Sequence, residues 1–320
     1  MLWWVALSAT HHKSDIIYSM NEWYKEKQKI LQQFFINYGK LTLVFSVVVA
    51  CLFCLAGLSH LATAQSLKVS FLDIGQGDAI LIQTPDGHDM LIDGGGTDKV
   101  LEKISHELGF FDQHLDVVVN THPDADHSTG LIAVLKKYDI GAIVVSPIDG
   151  HTGVFEVLKK SIIDEGSDIH VGKKGDTITF SNGVVAHILY PASPYHGDKN
   201  DTNDASVSMV ITYGDESVLL TGDLPTTHEE ELLQSVLPHH ITIYKAGHHG
   251  SKYSSGDQLL SYIRPEYSVI SAGKNNRYSH PSPDAIERLQ TYSQEILSTI
   301  DKGTITFLLD GRNVKVRTTK

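Results

Sequence analysis

The stretch "NTHPDADHSTG", residues 120–130, places two histidines and two aspartates within six positions, directly after the apolar run Asp116-Val117-Val118-Val119. That β-branched run reads as a buried strand, so the four side chains issue from a strand end, where a rigid scaffold presents groups to one point. Isolated histidines in loops are ordinarily solvated surface residues. Four nitrogen and oxygen donors in so short a turn point instead to cation binding, with His122, Asp124, Asp126 and His127 diverging toward two nearby metals. Asp124 supplies a hard anionic oxygen where an imidazole would supply a borderline nitrogen, which tolerates manganese or magnesium better than an all-histidine set.

Two further strand ends repeat the theme. "SVLLTGD" (217–223) ends in Asp223, and "ITIYKAGHHGS" (241–251) carries His248 and His249. A carboxylate has two oxygens and can bridge two metals, which suits Asp223, and the imidazole of His248 can complete the second metal's shell. Each signal is weak alone; the three in this order are specific.

The formal charge is −12, and the first 64 residues hold five Lys against three acidic residues, which leaves about −14 on the remainder. Tight nonspecific binding of duplex nucleic acid is therefore not the default, although aspartates that bind metals are locally neutralised. The only cysteines, Cys51 and Cys54, lie in one apolar segment, so the rest of the chain can use neither disulfides nor thiolate-bound zinc. That segment, Leu41 to Leu58, is free of charge and follows Lys25, Lys27, Lys29 and Lys40. The pattern divides the chain into a cytoplasmic segment 1–40, a transmembrane anchor or signal peptide 41–64, and a domain 65–320 outside the cytoplasm. Ala62-Thr63-Ala64 fits a signal-peptidase site, so release and anchoring are both open.

From Leu67 onward, β-branched runs alternate with helical patterns and no internal repeat, which predicts a layered α/β domain. Strands are expected at 67–73, 79–83, 89–93, 116–120, 141–146, 184–190, 207–213, 217–221, 241–245, 267–271 and 304–308. Helices are expected at 127–138, 153–165, 227–236, 256–263 and 282–297. Asp73 and Asp78 in "DIGQGD", and Asp93 before Gly94-Gly95-Gly96, read as braces of tight loops beneath the metals rather than as ligands. Lys245, Lys252, Lys274 and Arg277 flank the late loops; each alone reads as ordinary surface, while their clustering in an acidic chain offers positive charge to an anionic substrate.

These stretches resemble the metallo-β-lactamase fold, whose members hold one or two metals with an H-x-[HD]-x-D-H loop, a bridging Asp and a late His. Within it the likeness is to the extracytoplasmic hydrolase domain of ComEC-type DNA-uptake competence proteins, with a branch similar to phosphorylcholine esterases. It rests on "FLDIGQGDAILI" (71–82), "MLIDGG" (90–95), "THPDADHSTGL" (121–131), "LLTGD" (219–223), "KAGHHGSKYSS" (245–255) and "NNRYSHPSP" (275–283), spread over residues 67–310. The resemblance implies a four-layer αββα sandwich. It implies His122 and Asp124 on the first metal, Asp126, His127 and His248 on the second, and Asp223 between them. His249 is the alternative ligand, the other imidazole then facing substrate. The catalytic candidates are Asp126, His249 and His280, the last placed to protonate a leaving oxygen or hold a phosphate. The histidine that usually completes the first site is missing: "YPASPYHGDKNDTNDAS" (190–206) offers only His196, more readily a loop residue, and an Asn203-to-Ser206 pattern shared with the competence group.

The expected chemistry is hydrolysis by a metal-bound hydroxide, with one or two Zn2+ ions first in line and Mn2+ second. The expected substrate is an anionic phosphodiester, either single-stranded DNA or a smaller envelope phosphodiester. Another ester, as in a phosphorylcholine esterase or lactonase, and a non-catalytic envelope binding module are the alternatives. The expected partners are the membrane, through residues 41–58, and a separate membrane channel protein, because one apolar segment cannot conduct a strand.

Overall fold

The computed structural model describes residues 2–63, 66–108, 112–196 and 201–320. Two compact units divide it, residues 1–62 and 63–320. The first is a single helix, α1 (Leu2–Thr63), within which Glu22–Cys54 is long and apolar enough to cross a membrane.

The second unit is built on two sheets. Strands β1 (Leu67–Phe71), β2 (Ile80–Gln83), β3 (Asp89–Ile92), β4 (His114–Asn120), β5 (Asp139–Val145) and β6 (Asp168–Val171) join the last two strands, β14 (Ile305–Leu309) and β15 (Val314–Thr318). Their order is β15-β14-β1-β2-β3-β4-β5-β6. The second sheet holds β7 (Thr177–Thr179), β8 (Val185–Tyr190), β9 (Ser208–Tyr213), β10 (Glu216–Leu220), β11 (Ile243–Lys245), β12 (Tyr267–Ile270) and β13 (Glu295–Ser298), in the order β13-β12-β11-β10-β9-β8-β7. One core, with Val69, Phe71, Ile92, Val119, Met209, Ile211 and Phe307, lies between the sheets. Alternate residues of the same strands, such as Leu81, Leu91 and Val118, face outward onto α2 (Lys99–Leu108), α3 (Ala125–Leu135) and α4 (Gly153–Glu165). Leu219 and Tyr244 do the same toward α5 (Thr226–Leu233), α6 (Asp257–Ile263) and α7 (Pro283–Tyr292). Strands sandwiched on both faces read as continuous apolar runs, and the result is the expected four-layer αββα sandwich.

Strands β3 to β6 run parallel, as do β10 to β13. Loops at the carboxyl ends of such strands are where an open α/β sheet gathers a site. Helix α3 is drawn tightly onto this end by glycine: a Cβ on Gly130 would lie 1.9 Å from the Gly94 carbonyl oxygen, and one on Gly94 would lie 2.4 Å from the Leu131 nitrogen.

Several sequence expectations are corrected. The helix expected over 282–297 ends at Tyr292, and Glu295–Ser298 is instead β13, pairing parallel with β12. Its start is as expected: Ser282 Oγ accepts from Ala285 N at 3.2 Å and Pro283 occupies the first turn. The helix expected from residue 127 begins at Ala125, because Asp124 already stands at the N-cap. Helix α2 and strands β6, β7 and β15 were not expected at all. These three strands are sheet edges, mostly exposed, and so lack the apolar runs that betray central strands.

Candidate metal centre

The centre is assembled around Asp93, which follows β3 with φ +58°, a left-handed backbone that Asp tolerates better than most residues. One carboxylate oxygen accepts from Thr121 N at 2.8 Å. The other accepts from Thr121 Oγ1 at 2.7 Å and pairs with His127 Nδ1 at 2.8 Å. His127 is thereby fixed with Nε2 turned inward. On the opposite side His249 Nδ1 donates to the Ser271 carbonyl at 3.0 Å, so its Nε2 also points inward. The two Nε2 atoms face each other at 3.2 Å, and His249 Nε2 is 3.4 Å from both Asp126 Oδ2 and Asp223 Oδ2. His127 Nε2 lies 3.3 Å from Asp223 Oδ2.

Asp223 Oδ2 is the common point. His122 Nε2 is 4.0 Å from it and 4.0 Å from Asp124 Oδ2, while His122 Nδ1 is taken by Thr121 Oγ1 at 3.0 Å. Behind His122, Asn120 Nδ2 donates to its carbonyl at 3.0 Å and to Ser128 Oγ at 3.2 Å, locking the strand-to-helix turn. Asp124 is 40% exposed, and its side chain accepts from Thr202 Oγ1 rather than from its own helix. The Asn203–Ala205 turn after it ends at Ser206, whose Oγ accepts from Asp223 N at 3.2 Å. That segment thus braces both Asp124 and Asp223, whereas His196 is exposed.

Asp78, His127, Asp223 and His249, all buried, bring one ligand atom each to within 4.8 Å of one another. Asp78 nonetheless faces the Nδ1 atoms, 3.4 Å from that of His249 and 4.0 Å from that of His127, and its other partner is the Lys245 ammonium. It supports the imidazoles from behind rather than sharing the space between their Nε2 atoms. Burial would raise the Asp78 carboxyl, but Lys245 and His249 outweigh it and hold the group at about 2.

The electrostatics fit a cation. Burial would lower His127 and His249, yet the Asp223 charge pushes both well up, so the cluster demands positive charge. His122 is pushed down to about 3 by burial and by His127, which leaves the neutral, ligating form. Its Nε2 and Asp223 Oδ1 are buried with no hydrogen-bond partner among the described residues, a costly state that a bound cation would relieve. Oxygen and imidazole donors without thiolate suit zinc, manganese or iron alike.

Sequence placed His248 in the metal shell with His249 as the alternative; the structure puts His249 inside the buried group and His248 at its mouth, 27% exposed and 3.6 Å from Asp223. Both residues have left-handed backbones (φ +48° and +57°), so the chain turns sharply between them and their rings approach Asp223 Oδ2 from different sides, at 3.6 Å and 3.4 Å. Lys245, which alone reads as ordinary surface in the sequence, is instead fully buried at the end of β11, bound to Asp78, 3.6 Å from Asp223 and donating to the Gly222 carbonyl at 3.3 Å. Lys252 is exposed, 5.0 Å over the Tyr253 ring. His280 packs edge-on against His248, with ring centroids 5.5 Å apart, and stacks on Tyr278. Burial, then the charges of His248 and His249, push its imidazolium down, which favours the neutral ring. Thr202 and Ser271 went unnoticed in the sequence because a lone hydroxyl or carbonyl carries no spacing signal.

The sandwich, the strand-end ligands and the buried His/Asp group define a metallo-hydrolase. Residues 72–274 match the Metallo-beta-lactamase superfamily, and the chain belongs to it. Among curated proteins it is 31% identical over 265 residues to ComE operon protein 3 of Bacillus subtilis, covering 77% of this chain and 33% of that protein. It is 28% identical to Recombination protein 2 of Haemophilus influenzae (74% and 28%) and 29% identical to Competence protein ComA of Neisseria gonorrhoeae (78% and 33%). The chain spans about a third of the length of these relatives.

Proposed function

We propose that this chain is a metal-dependent phosphodiesterase of the competence-related group, working outside the cytoplasm. The observation that carries the reading is the meeting of His127 Nε2, His249 Nε2 and Asp223 Oδ2 in a buried space whose outward-facing ring nitrogens are already bonded elsewhere. Asp126, His127 and His249 would hold one cation, His122 and Asp124 a more open second, and Asp223 would serve both. Zinc is the first expectation and manganese the second. A bound divalent ion supplies Lewis acidity and lowers the pKa of a water from about 15.7 toward about 7.

The chain's own residues do the rest. Asp93 and Ser271 fix the imidazole tautomers, Lys245 holds Asp78 ionised, and His249, His127 and His248 do the same for Asp223. His248 and His280, at the mouth, face the substrate; a neutral His280 ring can donate one N–H to a phosphate oxygen or accept a proton, and must gain that proton before it protonates a leaving oxygen. Residues 41–58 would anchor the chain, or be removed at Ala62-Thr63-Ala64, and a separate channel protein would conduct any strand.

The test is metal analysis with a substrate screen on the full chain. With zinc or manganese added, bis-p-nitrophenyl phosphate should be hydrolysed, His249→Ala should lose a metal equivalent with its activity, and Asp93→Asn should weaken metal affinity or activity by about 10–100-fold. Fewer than one metal per chain, or turnover only of a lactone or β-lactam, would sink the phosphodiesterase reading.

A further inference from the structure

Asp124 sits where a firmly held ligand is needed, yet little in its own segment holds its side chain. It is 40% exposed, and its backbone carbonyl rather than its carboxylate starts α3. Among the described residues, the hydrogen bond its carboxylate receives comes from the Thr202 hydroxyl, on Oδ1. Oδ2 is left facing His122 Nε2 at 4.0 Å, and Asp223 Oδ2 stands at the same distance from that nitrogen. The nitrogen is buried with no hydrogen-bond partner among the described residues, and the gap on either side admits a cation bonded at about 2.0–2.2 Å to each atom.

Thr202 is itself placed by a turn that the domain grips from several sides. Its carbonyl accepts from Ala205 N at 3.3 Å, and the Asn203 carbonyl accepts from Ser206 N at 3.0 Å. Tyr190 OH donates to the Asp204 carbonyl at 2.6 Å, and Ser146 Oγ donates to the Ala205 carbonyl at 2.9 Å. Val207 N donates to the Thr121 carbonyl at 2.9 Å, and Ala205, Ser206 and Val207 are all buried. That last bond ties the turn to the strand end that carries His122, while Ser206 Oγ, accepting from Asp223 N, ties it to the shared carboxylate. Thr202, His122 and Asp223 are therefore set by one frame.

We propose that Thr202 takes over the task left by the histidine missing from residues 190–206: it is a positioning residue of the first cation site, clamping Asp124 by Oδ1 so that Oδ2 serves the cation together with His122 and Asp223. The clamp rests on the two-cation reading above and names the residue on which the more open site depends. A hydroxyl donating to a carboxylate makes a charge-assisted bond and fixes the ligand without adding a nitrogen. The site keeps one imidazole and two carboxylates, a set that suits manganese as well as zinc. Asn203 offers the competing account, because its Oδ1 is buried with no hydrogen-bond partner among the described residues and an amide oxygen can itself ligate a hard cation. Thr202 is preferred because its contact with Asp124 is made, whereas none of the described contacts joins Asn203 Oδ1 to a ligand.

The experiment is a Mn2+ titration of the full chain in detergent, stripped of metal beforehand, read by electron paramagnetic resonance with bound metal counted by elemental analysis. Neither readout needs turnover. The parent should bind two equivalents and show a spin-coupled signal at saturation. Thr202→Val keeps the shape of the side chain and removes the donor; it should weaken the second equivalent by about 10–100-fold and leave the tighter one alone, so that uncoupled Mn2+ persists where the parent is coupled. Thr202→Ser should restore the parent's titration, Asn203→Ala should leave it unchanged, and all three should match the parent's melting temperature without metal. Parent-like binding by Thr202→Val overturns the clamp, as does a Thr202→Ser as weak as Thr202→Val. A parent that binds only one equivalent overturns the two-cation reading and the clamp with it. Selective weakening in Thr202→Val of a parent that binds two equivalents but hydrolyses no diester would support the clamp and defeat the phosphodiesterase reading.

Discussion

Asp124 stands at the N-cap of α3 yet leaves the helix uncapped, turning its carboxylate to Thr202 and toward His122. A residue type that ordinarily caps is here diverted to the site, and the helix start rests on the Asp124 backbone carbonyl, which accepts from His127 N at 3.1 Å and Ser128 N at 2.9 Å. Lys245 is the opposite case, a charge legible in the sequence whose place was not. Buried charges survive only when paired, and removing one partner strands the other. Lys245→Ala should therefore destabilise the domain by about 3–5 kcal/mol, whereas Lys245→Met combined with Asp78→Asn should recover much of that loss. Thermal melts of the two variants with metal chelated check it; equal losses would mean that the pair is not coupled.

At the scale of elements, α5 fixes the loop that follows the late histidines. Glu229, buried on α5, accepts from Ser255 N at 2.6 Å and Gly256 N at 2.8 Å. Burial pushes its carboxyl up to about 7, against the pull of those two N–H groups and Arg288. The folded state thus favours the protonated acid more than the unfolded chain does. That contribution is present in full below the ordinary value of 4.5 and is lost as pH rises through about 7. Glu229→Gln should flatten the fall in melting temperature between pH about 5 and about 8, read by calorimetry at matched ionic strength; a profile as steep as the parent's would refute the assignment.

For the whole molecule, the division at residues 62 and 63 has a direct consequence. A chain beginning at Thr63 retains both sheets, all three apolar cores and every candidate ligand. It should remain soluble without detergent, with near-ultraviolet circular dichroism matching that of the full chain, which should itself partition into membranes through residues 41–58. Loss of that spectrum on truncation would show that α1 is needed for folding. The central strands and the α4 span were legible because burial on both faces forces apolar runs and because Thr152 and Gly166 mark the ends of α4. The edge strands were not, since exposed strands carry no such run, whereas α2 does carry a readable helical period in Val100, Leu101, Ile104 and Leu108 and needed no tertiary structure to be found.

The sequence by itself determined the chemistry: which residue types stand at three strand ends, the absence of thiolates, the substitution of Asp124 for an imidazole, and hence a metal-binding sandwich. Tertiary structure decided that of two adjacent histidines His249 is buried and His248 stands at the mouth, that Lys245 is sequestered beside Asp78, and that Asp93 is the hub. The reason is that the first set depends on side-chain identity and local period, whereas the second depends on left-handed turns and on loops more than a hundred residues apart that meet only when the two sheets pack.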